Sequence, residues 1–436
     1  MAYDYEVIIV GGRVAGSHLA ARLGKYGFRV LLLERDNFPS LPAVSSPIIF
    51  SATMRLLDEI GADETAYAKN TPRLHQMITI VDGNEIALNI PEYKGRDYAY
   101  AIDRARFDAS LWDTAMRYET VNGRQNFSVS DLVWRNGHVI GVIGKEKDGT
   151  DETFTARTVI GADGRFGIVG RKVGVEKIDA YDEHPTSIYY AYWRNVRYLN
   201  GKASATTYDG DNRYGYLVMD SADGETVITI EGRADSLDPQ AGKIEAFYLD
   251  TLRQNPLLQE RMHDAEMFTT VRGMKNIGNS YHQAGGAGWA LVGDAYHQKD
   301  PLDGQGIYNA VITGKALARQ MLRWKQGELS WNEAIAEYDK LARIKTYPMY
   351  KSLQTRIQAS FYSNGELPIP EWAQENLSRW MLDDEEFMGL VGKFITRELP
   401  PDYVTLMTVP TMFGAVARGV RKDIEKRIKE RIPFLG

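Results

Sequence analysis

The chain has 436 residues, 25% of them charged, and a formal net charge of −6; that length holds two or three structural units, and the charge argues against a nucleic-acid partner, which calls for a basic domain. It contains no cysteine, which excludes disulfides, iron–sulfur clusters, thiolate metal sites and a cysteine nucleophile in one step. No apolar run reaches the length of a membrane span and no signal-peptide pattern precedes the first strand, so the expected location is the cytoplasm and any redox chemistry needs a bound organic cofactor.

In chain order, Val7–Val10 is an apolar strand leading into the glycine-rich turn Gly11, Gly12, Arg13, Val14, Ala15 and Gly16. A helix pattern through Leu19, Ala20 and Leu23 follows, and a second apolar run, Phe28–Leu33, ends in Glu34 and Arg35. Strand, glycine turn, helix, strand and terminal acid are the dinucleotide-binding unit, with a pyrophosphate at the helix N-terminus and Glu34 on a ribose. Arg13 stands where that fingerprint has its middle glycine, and two readings are open. Either the side chain is solvated, or its guanidinium reaches over the phosphates or the adenine. The loop Phe38–Pro47 leaves this edge, and Ser45 and Ser46 are placed to touch a ring system, although serines of this kind also build turns.

Met77–Val81 and Ile86–Ile90 flank Asp82-Gly83-Asn84-Glu85 as a hairpin. Asp103 and Arg104 precede a helix with Phe107, Leu111 and Ala115 on one face; Arg104 is read either as a surface cation beside Asp103 or Asp108, or as a phosphate contact. From Phe127 to Ile160 the turn residues predict a β-meander, which ends at Gly161-Ala162-Asp163-Gly164 with a carboxylate at a strand end. Residues 184–280 are rich in aromatic and β-branched runs and predict an inserted antiparallel sheet. Tyr190, Tyr192, Tyr214 and Tyr216 are its candidate substrate-facing side chains.

Trp289–Val292 then runs into Gly293-Asp294-Ala295-Tyr296-His297-Gln298-Lys299-Asp300-Pro301-Leu302-Asp303-Gly304-Gln305-Gly306, with a helix pattern from Ile307. Such a turn sets an acid and free N–H groups at a helix N-terminus, which favours electron-rich partners. His297 is the nearest histidine to the turn, read either as a general base or as a structural residue bonding the turn backbone. Beyond Trp331 the pattern is helical, interrupted by prolines from Pro348 to Pro410. Val416, Val420, Ile424, Ile428 and Ile432 form a stripe among basic residues, a pattern suited to a membrane or partner surface but expected here to pack on its own domain, because acids are interleaved.

The three motifs Gly11–Gly16, Gly161–Gly164 and Gly293-Asp294…Pro301…Gly304-Gln305-Gly306, in that order, resemble the flavoprotein monooxygenase superfamily of para-hydroxybenzoate hydroxylase. That superfamily also holds geranylgeranyl reductases and flavin-dependent halogenases. The resemblance covers roughly residues 5 to 325. It implies an α/β fold: a Rossmann-like FAD-binding domain (1–76, 98–183 and 281–330), an inserted antiparallel β-sheet substrate domain (77–97 and 184–280) and a C-terminal helical region (331–436). It implies FAD as cofactor and NADPH or NADH as reductant, and places Glu34 on the adenosine ribose and Arg104 near the pyrophosphate. Asp294 would hold the pyrophosphate or ribityl hydroxyls, and Asp163 would lie near the pyrophosphate and a visiting nicotinamide. Gly304, Gln305 and Gly306 would offer N–H groups to the N1 and O2 edge of the flavin, with Pro301 and Ile307 alongside and Pro301 facing the chemistry.

The implied reaction consumes NAD(P)H and O2 and passes one oxygen atom to a small aromatic or hydrophobic substrate through a flavin C4a-hydroperoxide, in a monomer or homodimer. Two departures accompany the resemblance. Gly167 and Gly170 stand where the family often has Ser and Arg. The halogenase strand signature survives only as Tyr214-Gly215-Tyr216-Leu217-Val218-Met219, and the cysteine-bearing loop usual in the reductases is absent, which leaves reduction of a C=C bond as the alternative and halogenation behind it.

Overall fold

The computed structural model describes residues 3–41, 47–81, 83–147, 149–210, 213–363, 371–395 and 401–431; Ser45, Ser46 and Ile432 lie outside these. A parallel sheet runs in the order Trp289–Leu291, Glu152–Gly161, Tyr5–Val10, Val30–Leu33, Val121–Arg124. Val7 to Val10 and Val30 to Leu33 are buried throughout, as expected of strands covered on both faces, each such side chain contributing about 1.5–3 kcal/mol. The helices Val14–Lys25 and Gly306–Lys325 pack on one another over this sheet. Gly314 lets them approach, since a Cβ there would lie 3.1 Å from Nδ1 of the buried His18. The predicted meander is present as Phe127–Arg135, His138–Glu146 and the first part of Glu152–Gly161.

A second sheet runs in the order His297–Gln298, Arg272–His282, Lys177–Arg194, Thr226–Arg233, Tyr214–Asp220, Ala205–Asp209, Gln76–Val81, Asn84–Asn89. Its pairings are antiparallel except Ala205–Asp209 with Gln76–Val81. The hairpin is tighter than the sequence suggests, with Val81 opposite Asn84. One face of the sheet carries Tyr189, Ala191, Trp193, Tyr208, Tyr216, Val218 and Ile228 and is covered by Tyr248, Leu252 and Leu258. The other carries Tyr190, Tyr192, Ala205, Met219 and Val227, packed with Ile48, Phe50 and Ala101. The strand's two-residue period thus sends neighbouring tyrosines to opposite environments.

Pro348 and Pro410 do not interrupt the C-terminal region: each lies inside a helix, Trp331–Ile357 and Pro401–Arg431. Packing on the buried Met349, Tyr350 and Leu353 offsets the roughly 3 kcal/mol that an interior proline costs. The Pro401–Arg431 helix corrects the reading of its apolar stripe. It turns Ala415 and Gly419 inward, with Trp380 in the space a Cβ at Gly419 would fill, and Arg418 pairs with Asp384. Ile424 and Ile428 remain 53% and 51% exposed, and Phe413 72%. The small residues, rather than the β-branched ones, make the contact because they admit the indole. Ile424→Glu with Ile428→Glu is therefore expected to shift stability by less than about 0.5 kcal/mol, as read by urea unfolding; a larger loss would show that the stripe is packed. Among the described residues no helix is long and apolar enough to cross a membrane.

Candidate functional site

The first turn is built around two close approaches. A Cβ at Gly11, whose φ is +101°, would lie 2.4 Å from the Ala162 carbonyl oxygen, and one at Gly16 would lie 1.8 Å from that of Gly11. The first and second motifs therefore touch through bare backbone. Val14 and Ala15 open the helix, both buried. Glu34, 4% exposed, accepts the Gly12 N–H at 2.7 Å and the Asp36 N–H at 3.0 Å, which fixes its carboxylate at the strand end. Arg35 points outward, 4.0 Å from Asp36.

Arg13 is paired with carboxylates and only partly solvated. Its guanidinium donates to Asp108 and Asp36, both at 2.8 Å, and to the Ser40 carbonyl at 2.9 Å. With these partners it ties the loop after the second strand to Asp108. Arg104 is buried rather than a surface cation. Its Nε donates to Asp108 Oδ1 at 3.2 Å and its Nη2 to Oδ2 at 3.0 Å, and Asp108 is fully buried. Asp103 caps the helix through Ala105 N–H. Arg13, Asp108 and Arg104 thus join the glycine turn to the helix Arg104–Met116.

In the second motif Asp163 turns to the helix Ile168–Val173, accepting Val169 N–H at 3.0 Å, while its Oδ1 is buried without a partner. Burial pushes its pKa up to about 6, against those backbone bonds. This accounts for Gly167: a Cβ there would fall 2.2 Å from Asp163 Oδ1. Arg165 connects this motif to the third, donating to the Lys299 carbonyl at 2.8 Å and the Gly278 carbonyl at 2.9 Å.

The third motif forms two tight turns, Gly293–Ala295 and Pro301–Asp303, before the helix Gly306–Lys325. Gly293 and Gly304 hold positive φ, +60° and +63°. Asp294 is open to solvent, yet the protein around it pushes its carboxyl pKa up, and Arg165, Lys299 and Arg104 pull it back. Such a group lines a cleft inside the fold. Two of the three N–H groups assigned to the flavin edge are used within the turn: Gly304 donates to the Pro301 carbonyl at 2.7 Å and Gln305 to Asp303 Oδ1 at 3.1 Å. Gly306 and Ile307 begin the helix, whose first N–H groups have no intrahelical acceptor, and a Cβ at Gly306 would meet nothing within 4 Å. An open helix N-terminus, an accessible acid and two backbone-tight glycines fit a dinucleotide with an electron-poor ring.

The structure places His297 in the core, 1% exposed. Its ring stacks on Tyr281 at 3.9 Å and 6°, with Tyr350 edge-on, and burial, then the charge of Lys299, pulls its pKa down to about 3. The aromatic box holds it, so it does not face the turn. Tyr214 and Tyr216 are likewise corrected: their hydroxyls go to Gln254 and the Thr251 carbonyl, under the helix Ile244–Leu252 on the outer face. Tyr190 and Tyr192 are on the inner face.

Four residues next to Pro301 escaped sequence reasoning. Lys299 and Asp303 form an ion pair at 2.5 Å with side chains only 3% exposed. Asp300 accepts from Thr186 Oγ1 and from Leu302 N–H, and donates its own N–H to Asn279 Oδ1. Glu231, on the strand Thr226–Arg233, shares a side-chain hydrogen bond with Asp300. Burial, then the charge of Asp300, raises the Glu231 pKa well above its ordinary value, which favours the protonated carboxyl. The signal was available in Thr226-Val227-Ile228-Thr229-Ile230-Glu231, where one acid falls in phase with Val227 in an otherwise apolar strand. Because the native state binds this proton more tightly than the unfolded chain, the stabilisation is complete below the unfolded pKa of about 4.3 and is lost as pH rises through the native value. Glu231→Gln is expected to gain stability relative to wild type between pH 5 and pH 8 in urea unfolding; a pH-independent difference would place the proton elsewhere.

The FAD binding domain family matches residues 4–341. The chain is 24% identical over 353 residues to digeranylgeranylglycerophospholipid reductase of Methanocella arvoryzae, covering 79% of this chain and 84% of that one. It is 24% identical over 366 residues to squalene epoxidase 2, mitochondrial, of Arabidopsis thaliana, covering 82% and 60%. The solved flavin-dependent brominase Bmp2 shares the fold, with a TM-score of 0.77 over 96% of this chain and 99% of that one at 17% identity. With its parallel sheet, three joined motifs and this match across most of its length, the chain belongs to the FAD binding domain family and is an α/β flavin-dependent oxidoreductase.

Proposed function

We propose that the protein is an FAD-dependent monooxygenase that consumes NAD(P)H and O2 and places one oxygen atom on a small aromatic or natural-product substrate. The observation that carries this reading is the junction at Asp300–Pro301, where the turn opening the Gly306–Lys325 helix is bonded to Thr186 and Asn279 of the second sheet. A substrate held between that sheet and the turn lies next to the helix N-terminus. Bound FAD would supply electron transfer and oxygen activation. Glu34 would accept from its ribose, the N-terminus at Val14 and Ala15 would face its pyrophosphate, and Asp294 would accept from its sugar-chain hydroxyls. The N–H groups of Gly306 and Ile307 would stabilise negative charge on the pyrimidine edge of the ring. The buried Tyr190 and Tyr192 face would keep water away from the reacting atoms.

The similarity to the Methanocella reductase favours a second reading, reduction of a C=C bond. Turnover under ¹⁸O₂ separates the two: the first expects one labelled oxygen atom in the product for each NAD(P)H consumed in coupled turnover. A reduced product free of label would establish the second.

A further inference from the structure

The apolar stripe of the C-terminal helix Pro401–Arg431 has no part in the flavin site. The helix is held from its inner side: Ala415 is buried, Gly419 lies against Trp380, and Arg418 pairs with Asp384. Asp423 also turns inward, accepting from Arg379 at 2.6 Å and from the Trp380 indole N–H at 2.9 Å. With about 100° between successive residues, Phe413, Val420 and Ile424 fall on the opposite side, with Val416, Ala417 and Ile428 on its shoulders. Phe413, Ile424 and Ile428 are all exposed, and from Phe413 to Ile428 the stripe covers roughly 22 Å of helix. Its edges are basic. Arg421 and Arg427 border it, and Lys422 and Lys426 are exposed close by. From Arg418 to Arg431 the sequence carries seven basic and three acidic residues, in a chain whose formal net charge is −6. The interleaved acids do not cancel this surplus, since Asp423 is engaged on the inner side and Glu425 is bonded to Arg421.

We propose that the outer face of this helix, from Phe413 to Ile428, rests on an anionic lipid surface and attaches the protein peripherally to it. Phe413, Ile424 and Ile428 sink among the acyl chains, while Arg421, Lys426 and Arg427 keep their apolar stems at the boundary and carry their charges to the headgroups. The shape of the face favours this occupant over a protein. A single helix face is convex, so a protein partner needs a matching groove lined with acids, whereas an anionic bilayer supplies apolar depth and negative charge to any ridge laid on it.

The probes are vesicles of phosphatidylcholine alone and of phosphatidylcholine and phosphatidylglycerol in equal parts, mixed with the FAD-loaded full-length protein and separated by flotation. Binding to the mixed vesicles is expected to be at least about tenfold tighter than to phosphatidylcholine at low salt, and to fall as salt screens the charges. Ile424→Glu with Ile428→Glu should lower the partition coefficient at least about tenfold, and Lys426→Gln with Arg427→Gln should remove most of the preference for anionic lipid. Because the chain has no cysteine, Ile428→Cys takes a single environment-sensitive dye, whose emission should shift to the blue on the mixed vesicles. The same dye at Asp250→Cys, exposed on the helix Ile244–Leu252, should not respond. FAD content and a far-ultraviolet circular dichroism spectrum equal to those of wild type show that each variant is folded. Absence of binding to the mixed vesicles, undiminished binding by the double glutamate variant, or a dye at position 428 that does not respond would each overturn the lipid assignment. Protein that stays off the vesicles but sediments as a dimer, which the glutamate variant dissociates, would overturn it in favour of a second copy of the chain.

Discussion

Gly16→Ala is expected to abolish FAD retention, raising the dissociation constant at least about 100-fold. The added methyl would stand 1.8 Å from the Gly11 carbonyl oxygen and 2.9 Å from its carbon. Both obstacles are backbone, and Gly11 is itself pinned against the Ala162 carbonyl, so neither can yield without opening the contact between the first two motifs. Overpacking of a side-chain core typically costs 1–3 kcal/mol, and a backbone clash is at the upper end or beyond. Gly306→Ala is the control, because its methyl meets no protein atom within 4 Å; that variant should fold with wild-type stability and weaken FAD only if the ring occupies the space in front of the helix. Flavin content after purification and fluorescence titration of the apoprotein measure both, and a Gly16→Ala protein with wild-type affinity would show that the turn has another purpose.

The second large effect is expected at Lys299. Replacing it with Met leaves the Asp303 carboxylate buried without its cation, and removing one partner of a buried pair costs about 3–5 kcal/mol. The loss should appear as a lower urea midpoint at unchanged slope. Lys299→Met combined with Asp303→Leu should regain most of it, because two apolar side chains leave no charge to solvate. If the single substitution is as mild as an ordinary surface change, the pair is more hydrated than its 3% exposure implies. The same variant bears on the cofactor: Lys299 also pulls on the Asp294 carboxyl, so its loss should weaken FAD binding as well as stability.

Much of the first domain's backbone was legible because its signals are local. The continuous apolar runs Val7–Val10 and Phe28–Leu33, the glycines between them and the turn residues Asn136-Gly137 each constrain φ, ψ or burial within a few residues. The helix at Arg104–Met116 follows from the spacing of Phe107, Leu111 and Ala115, all fully buried. Side-chain partners were less legible. Arg13 has a solvated or ligand-bound future in the sequence alone, whereas in the fold it finds Asp36 and Asp108, the latter 95 positions away. His297 has two readings in the sequence, a base or a structural residue of the turn, and only the strand Arg272–His282 brings Tyr281 onto its ring.

The sequence by itself determined the order strand, glycine turn, helix, the three motifs and the absence of thiol chemistry, since these depend on residue type and short spacing. Tertiary structure decided which face each strand shows and which carboxylates meet. The alternation of Tyr189 through Trp193 defines two faces but not which one looks inward; that choice came with the helix Ile244–Leu252 covering one of them. Glu231 and Asp300 are far apart in the chain and neither is unusual alone. Only the closure of the second sheet onto the Pro301 turn brings the two carboxyls together, where burial, then the charge of Asp300, raises the Glu231 pKa.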